Sequence, residues 1–514
     1  MPVFGDNVVA TSQPLAAQAG LTILQRGGNA VDAALATAIA LTVVEPTNNG
    51  LGSDAFAQVW DGESLSALNA SGRAPAALGP EVLAGHALMP GTGWASVTVP
   101  GAVSAWVALS ERFGRLPFGD LFEPAIRTAR DGFAVTPRIA IQWAATAGLY
   151  AEYPEFNAVF LPEGRPPLPG ERFRLPDLAD SLEAVAATKG EAFYRGELAR
   201  AMAAFARETD GFLAEEDLAA HTADWVEPLS VSFAGAELHE LPPNGQGIAA
   251  LMALGMLGET DVFEHGVDDV ASVHLQIEAM KLAFADAHRN VGDPDAMEVG
   301  PDALLDSGYL AARARSIDPQ RAGVAAPGVP GPGDTVYLAA ADSEGRMVSF
   351  IQSNFFGFGS GIVVPGTGIS LQNRGSGFSL EQGHPNRLAP GKRPFHTIIP
   401  GFVTEGGRPR MAFGVMGGGM QPQGHLQMML RVFGHGQNPQ AASDAPRWQV
   451  LGDGAVGVES DFDSEVVRGL EARGHRVQTL HSILFGGAQL IYRLDEGGHV
   501  AGSDHRKDGQ AVVC

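Results

Sequence analysis

Cysteine is nearly absent from this chain of 514 residues: the single one is Cys514, the last residue. That excludes an intrachain disulfide and a thiolate metal cage. No H-x-x-x-H spacing occurs either, so a metal hydrolase finds no support and no cofactor is expected. Basic residues are scarce, 34 Lys and Arg against 58 Asp and Glu, for a formal net charge of −24. A surface of that sign repels phosphates and anionic lipids, which argues against nucleic-acid and membrane partners. Long apolar runs are lacking too. The longest, residues 33–44, is too short to span a bilayer. The first residues, Met1-Pro2-Val3-Phe4-Gly5-Asp6-Asn7, carry no basic region followed by an apolar core, so no signal peptide is expected and a cytoplasmic location is.

What is present reads as globular. Hydrophobic residues make up 45% and charged residues 18%, enough for a large core. Residues 13–25 have Leu15, Leu21 and Leu24 at helical spacing, stopped by Gly27-Gly28. Asn29 can cap a second, Ala-rich helix over 30–44. A polar loop, residues 45–54, precedes a strand at 55–60. It reads either as a tight turn or as a pocket wall. A second strand over 64–73 ends in Arg73, either a surface charge or a clamp for a carboxylate. A helix is expected from Ala102 to Arg112, then a largely helical middle to about residue 320.

The most informative stretch is Gly333-Asp334-Thr335-Val336-Tyr337, which follows a run of Pro and Gly that cannot be helix or central strand. Residues 335–341 and 346–353 flank the turn Asp342-Ser343-Glu344-Gly345 and read as an antiparallel hairpin. Counting outward from Glu344 sets Thr335 opposite Ser353, one hydroxyl facing another. Later, a strand at 411–415 runs into Gly417-Gly418-Gly419, and a helix is expected from about Gly424. Glycines between a strand and a helix either allow close packing or aim backbone N–H groups at an anion. The spacing is not that of a dinucleotide-binding loop.

Taken together, several stretches resemble the γ-glutamyltranspeptidase family, which includes cephalosporin acylases and other amidohydrolases. They are residues 27–34, 46–56 and 97–102, residues 278–286 with Gly292-Asp293-Pro294, Gly333-Asp334-Thr335, Lys392-Arg393-Pro394 and Gly417-Gly418. They follow the family order over nearly the whole chain. The resemblance implies an α+β fold of the N-terminal-nucleophile class, an αββα sandwich with two stacked antiparallel sheets between helices. It implies self-cleavage between Asp334 and Thr335 into a large subunit, 1–334, and a small one, 335–514, interleaved in one domain, with room for a homodimer. Thr335 would be the nucleophile and, through its new amine, the base. Ser353 would orient it, and Gly417 and Gly418 would form the oxyanion hole. An uncleaved, silent binding protein is the rival from another class.

The substrate segment departs from the transpeptidases. Where they place Asn two positions past the orienting hydroxyl, this chain has Phe355. Their acidic segment is here Gln372-Asn373-Arg374-Gly375-Ser376-Gly377-Phe378, with both aspartates gone and Arg374 gained. Their Ser-Ser pair is His396-Thr397. Arg73, Arg374, His396, Thr397 and Phe355 are therefore the expected substrate contacts. They suit a small amide bearing a free carboxylate and no ammonium, with hydrolysis favoured over transfer. A true γ-glutamyl transferase or glutathione hydrolase is the alternative.

Overall fold

The computed structural model describes residues 1–324 and 333–514; the Pro/Gly run at 326–332 lies outside the described residues. Two seven-stranded antiparallel sheets form the centre. The first runs, edge to edge, Gln510–Val513, Val8–Thr11, Asp334–Ala341, Met347–Phe355, Asp54–Trp60, Leu65–Asn69 and Asp224–Val226. The second runs Val3–Gly5, His499–Ser503, Gly487–Arg493, Arg408–Met416, Gly401–Glu405, Ala236–Glu240 and Leu229–Phe233. Four strands matter most below: β1 (Asp54–Trp60), β2 (Asp334–Ala341), β3 (Met347–Phe355) and β4 (Arg408–Met416).

Three separate apolar layers show how the sheets are stacked. Side chains alternate across a strand. On β2, Val336, Leu338 and Ala340 join the core built on helix α1 (Ala30–Val44). Tyr337, Ala339 and Ala341 join Phe402, Ala412, Met416 and Ile491 of the second sheet. The outer face of that sheet, through Val403, Met411, Phe413 and Val415, packs on helices α2 (Gly247–Leu257), α3 (Val270–Asn290) and α4 (Met420–Met429). The order is helix, sheet, sheet, helix, as the resemblance implies.

Helix α1 is buried along its whole length, and its small side chains permit close approach to the sheet. Its start is fixed by a capping box. Asn29 accepts from the N–H groups of Val31 and Asp32, and the Asp32 carboxylate accepts back from the Asn29 N–H.

Three boundaries differ from the sequence reading. The middle of the chain is not wholly helical, because Leu229–Phe233 and Ala236–Glu240 form a hairpin. Its turn, Ala234 and Gly235, has φ of 52° and 83°, the signs of a type I′ turn. The strand expected over 64–73 stops at Asn69. There the Asn69 carboxamide captures the N–H and hydroxyl of Ser71 and turns the chain. Helix α4 begins at Met420 rather than near Gly424. Pro422 lies in the first turn, where its missing N–H is one the helix does not need.

The inter-sheet layer leaves no slack at Tyr337. A Cβ added to Gly414 on β4 would come within 2.4 Å of the Tyr337 ring. Gly414→Ala is expected to destabilise the protein by about 1–3 kcal/mol through overpacking. Denaturant midpoints of the two proteins check this, and equal midpoints would mean that the sheets are not locked at this contact.

Candidate active site

The hairpin β2–β3 is set by its turn. Asp342 Oδ1 accepts from the N–H groups of Glu344 and Arg346, at 3.0 and 3.1 Å. From there the pairing runs Ala341–Met347 to Val336–Gln352, the register counted from the sequence. It then slips, and Asp334 pairs with Phe355. Thr335 lies in this bulge, a feature that re-aims a side chain. Its hydroxyl still meets Ser353: Oγ1 donates to Ser353 Oγ at 3.2 Å. Ser353 Oγ also accepts from the Phe355 N–H at 2.8 Å. Gln421, at the start of α4, reaches Thr335 Oγ1 with Nε2 at 3.5 Å. Thr335 is 2% exposed. Ser353 pairs in turn with Asp54 on β1. By the two-residue alternation, Thr335, Ser353 and Asp54 share the face that looks toward the second sheet.

Gly417 and Gly418 end β4 with φ of 124° and 57°, a backbone that side chains rarely adopt. Their carbonyls accept from Met420 and Gln421 at 3.0 and 3.2 Å, which closes the first turn of α4. A Cβ on Gly333 would sit 3.1 Å from Gly418 Cα and 3.0 Å from the Phe355 carbonyl. The chain that leads into Thr335 therefore passes directly over the glycine turn.

Beside this lies a buried charged group. Arg374 is 0% exposed. Its Nη1 donates to Thr397 Oγ1 at 2.7 Å, and its guanidinium carbon lies 4.4 Å from the centre of the Phe355 ring. Among the described residues, its Nε and Nη2 have no hydrogen-bond partner. Burial lowers the guanidinium from its ordinary range to about 9, and the charge of Asp54 opposes the fall. Phe355 holds its ring there with φ of 86°, which is unusual for an aromatic residue.

Asp54 is fully buried. Its Oδ1 accepts from the N–H groups of Gly72 and Gly101 and from Gln372 Nε2, at 3.0, 3.1 and 2.9 Å. Its Oδ2 faces His396 Nε2 at 3.1 Å. His396 Nδ1 accepts from the Ile398 N–H at 3.3 Å, so the proton sits on Nε2 and is donated to Asp54. Burial, and then the charges of Arg374 and Arg393, hold the imidazole well below its usual value and keep it neutral. Burial raises Asp54 to about 6, with Arg374 pulling the other way, so it is ionised at neutral pH.

Of the expected substrate contacts, Arg374, Thr397 and Phe355 meet in one cluster. His396 lies directly behind it, with both ring nitrogens engaged by protein groups. Arg73 stands apart. Its side chain is 45% exposed, and its guanidinium donates to Asp293 at 3.3 Å and to the Gly391 carbonyl at 3.1 Å. A cavity of about 290 Å³ opens beside Phe355 and Thr397, lined also by Phe378, Phe395, His288 and Ser376.

Sequence reasoning passed over three residues here: Asp54, Gln421 and Gln246. Gln246 donates from Nε2 to the carbonyls of Thr397 and Gly418, at 2.6 and 2.8 Å, and so joins the cluster to the glycine turn. The available signal was a polar Gly/Pro loop between a strand and a wholly apolar helix.

The αββα sandwich, with a buried hydroxyl pair and a glycine turn near one strand end, is the fold of a class, the N-terminal-nucleophile hydrolases. The family model described as gamma-glutamyltranspeptidase matches residues 16–514. The chain is 37% identical to the glutathione hydrolase-like YwrD proenzyme of Bacillus subtilis, over 98% of each chain. It is also 37% identical to the oxamate amidohydrolase proenzyme of Klebsiella pneumoniae, over 97% of this chain and 96% of that one. A crystal structure of cephalosporin acylase from Bacillus halodurans superposes with a TM-score of 0.95 at 48% identity, covering 100% of this chain and 97% of that one. The chain belongs to the γ-glutamyltranspeptidase family, and it is an amide hydrolase of the N-terminal-nucleophile fold. Among the described residues, no helix is long and apolar enough to cross a membrane.

Among the described residues, one group has the geometry to hold a metal ion, His274, Glu278 and His475. Its donor atoms are already engaged. His274 donates from Nε2 to the Asp318 carbonyl at 2.8 Å, and its Nδ1 accepts from His475 Nε2 at 2.8 Å. His475 Nδ1 accepts from the Lys281 ammonium at 3.3 Å, which also donates to Glu278 at 2.8 Å. An ammonium at the centre repels a cation. Burial, and then the Lys281 charge, hold His475 down to about 3. Its neutral form thus contributes stability fully above the unfolded value of about 6.5, and that contribution is lost as pH falls toward 3. The wild type is therefore expected to lose stability relative to His475→Gln between pH 7 and 4.5, measured by thermal unfolding. A gap that stays constant over that range would mean that His475 is not held neutral by its burial and by Lys281.

Proposed function

We propose that the chain cuts itself between Asp334 and Thr335 and then hydrolyses amides whose acyl group carries a free carboxylate. In the uncut chain the Thr335 nitrogen is an amide and cannot act as a base. Cleavage turns it into an α-amine that titrates near 7.7–8.0, close to working pH. That amine takes the proton of Thr335 Oγ1, whose position Ser353 and Gln421 fix. The hydroxyl oxygen attacks the substrate carbonyl, and the N–H groups of Gly417 and Gly418 receive the oxyanion. Each such donor contributes roughly 10²–10³ in rate. The amine leaves with the proton, and water releases the acyl group. Residues 1–334 and 335–514 are the resulting subunits.

The observation that carries the substrate assignment is Arg374. Its Nε and Nη2 are buried and lack partners among the described residues. A carboxylate approaching that edge would satisfy both donors at once, as guanidinium and carboxylate prefer. A γ-glutamyl group also needs a partner for its ammonium. Asp54, the carboxylate of the cluster, already accepts four hydrogen bonds. The geometry therefore favours monoamides of dicarboxylic acids, of the glutaryl or oxamate kind. Among the described residues the cluster offers no second carboxylate to grip an incoming amino acid, which favours water as the acyl acceptor. The similarity to an oxamate amidohydrolase and a cephalosporin acylase supports this reading.

The test compares γ-glutamyl, glutaryl and oxamate amides on wild type and Arg374→Gln. Wild type is expected to favour the last two, with no acceleration by added amino acids. Arg374→Gln is expected to raise KM for them by about 10- to 100-fold, the loss of a charge-assisted bond. A preference for γ-glutamyl donors, with amino acids accelerating turnover, would overturn the assignment.

A further inference from the structure

We propose that Asp54 is a specificity-determining positioning residue, the group that holds the carboxylate-binding edge of Arg374 in register with the nucleophile. This rests on the substrate reading above. Four chain segments converge on the one carboxylate: Gly72, the Gly101 N–H that precedes the helix Ala102–Phe113, Gln372 and His396. Two of these segments carry the substrate cluster. Gln372 is two residues from Arg374, and His396 is next to Thr397, to which Arg374 donates. The backbone of Asp54 is paired with Ser353, which holds Thr335. Asp54 is thus the shared attachment of the catalytic row and the anion-binding cluster.

Its charge serves the same end. A buried guanidinium without a counter-charge is strongly unfavourable, and the arrangement pays for it only where a negative group is near. With Asp54 ionised, Arg374 stays charged inside the protein and keeps its Nε and Nη2 edge unpaired. Asparagine at this position would keep the shape and lose both effects. Its Oδ1 would still accept from Gly72, Gly101 and Gln372, while its amide N–H would face the N–H of His396. Moving that proton to His396 Nδ1 would only set it against the Ile398 N–H. His396, Thr397 and Arg374 would then lose their register, while the Thr335–Ser353 pair and the glycine turn keep their own supports.

The test measures kcat and KM for a glutaryl amide and for the neutral pentanoyl amide of the same amine, on wild type, Asp54→Asn, Arg374→Gln and the double variant. Asp54→Asn is expected to lose at least about tenfold more kcat/KM on the glutaryl amide than on the neutral one, through KM. In the Arg374→Gln background it should change this discrimination little, because the two residues act as one unit. Equal losses on both amides, additive losses in the double variant, or a gain in affinity for the glutaryl amide would each overturn the proposal. If Asp54→Asn does not accumulate as folded protein, Gln372→Leu replaces it with the same KM-selective loss expected and the same overturning results. A wild type with no preference for the glutaryl amide would instead refute the substrate reading, and this inference with it.

Discussion

Over Leu338–Ala341, strand β2 is paired on both edges and covered on both faces, and the proposed catalytic geometry depends on that anchor. It is paired with Val8–Thr11 on one side and with β3 on the other. One face is covered by α1 and the other by the second sheet. A cut at its first residue removes one covalent bond and leaves the ladder pairs from Val336 to Ala341 in place. The new terminus would therefore be held where the peptide was, between two sheets and against Ser353. A nucleophile at a frayed end would lose the orientation that makes a weak hydroxyl effective.

The second constraint is electrostatic. The site buries a guanidinium, Arg374, a carboxylate, Asp54, and a histidine held neutral. The carboxylate has its hydrogen bonds satisfied; the cation does not. Among the described residues, that asymmetry leaves Nε and Nη2 of Arg374 as unpaired donors beside Asp54. It also explains the strained Phe355, whose positive φ places an aromatic face against the guanidinium while its own N–H holds Ser353. One residue thereby couples Arg374 to Ser353, the partner of the Thr335 hydroxyl.

The parts of this account legible in the sequence are those fixed by local rules. The turn at Asp342 and Gly345 sets the hairpin register, and Asn29 sets the start of α1. Glycines between a strand and a helix mark the turn above Thr335. Arg374 and Thr397 were legible as candidates because they replace residues of other charge or size in a recognisable motif. Long-range capture of side chains was not legible. Arg73 sits beside Ala74-Pro75, but Asp293, far along the chain, takes its guanidinium. His396 reads as a substrate contact until Asp54, distant in sequence, accepts its proton. Asp54 itself looks like the polar start of an apolar strand, and only the fold gathers four donors around it.

The most direct test of the central claim is the intact mass of the purified protein under denaturing conditions, beside Thr335→Ala. The account predicts two fragments from the wild type, the smaller beginning at Thr335, and one uncut chain from the variant. A wild type that stays a single full-length chain while hydrolysing amides would contradict it, because the Thr335 nitrogen would then still be an amide, unable to take the proton of its own hydroxyl.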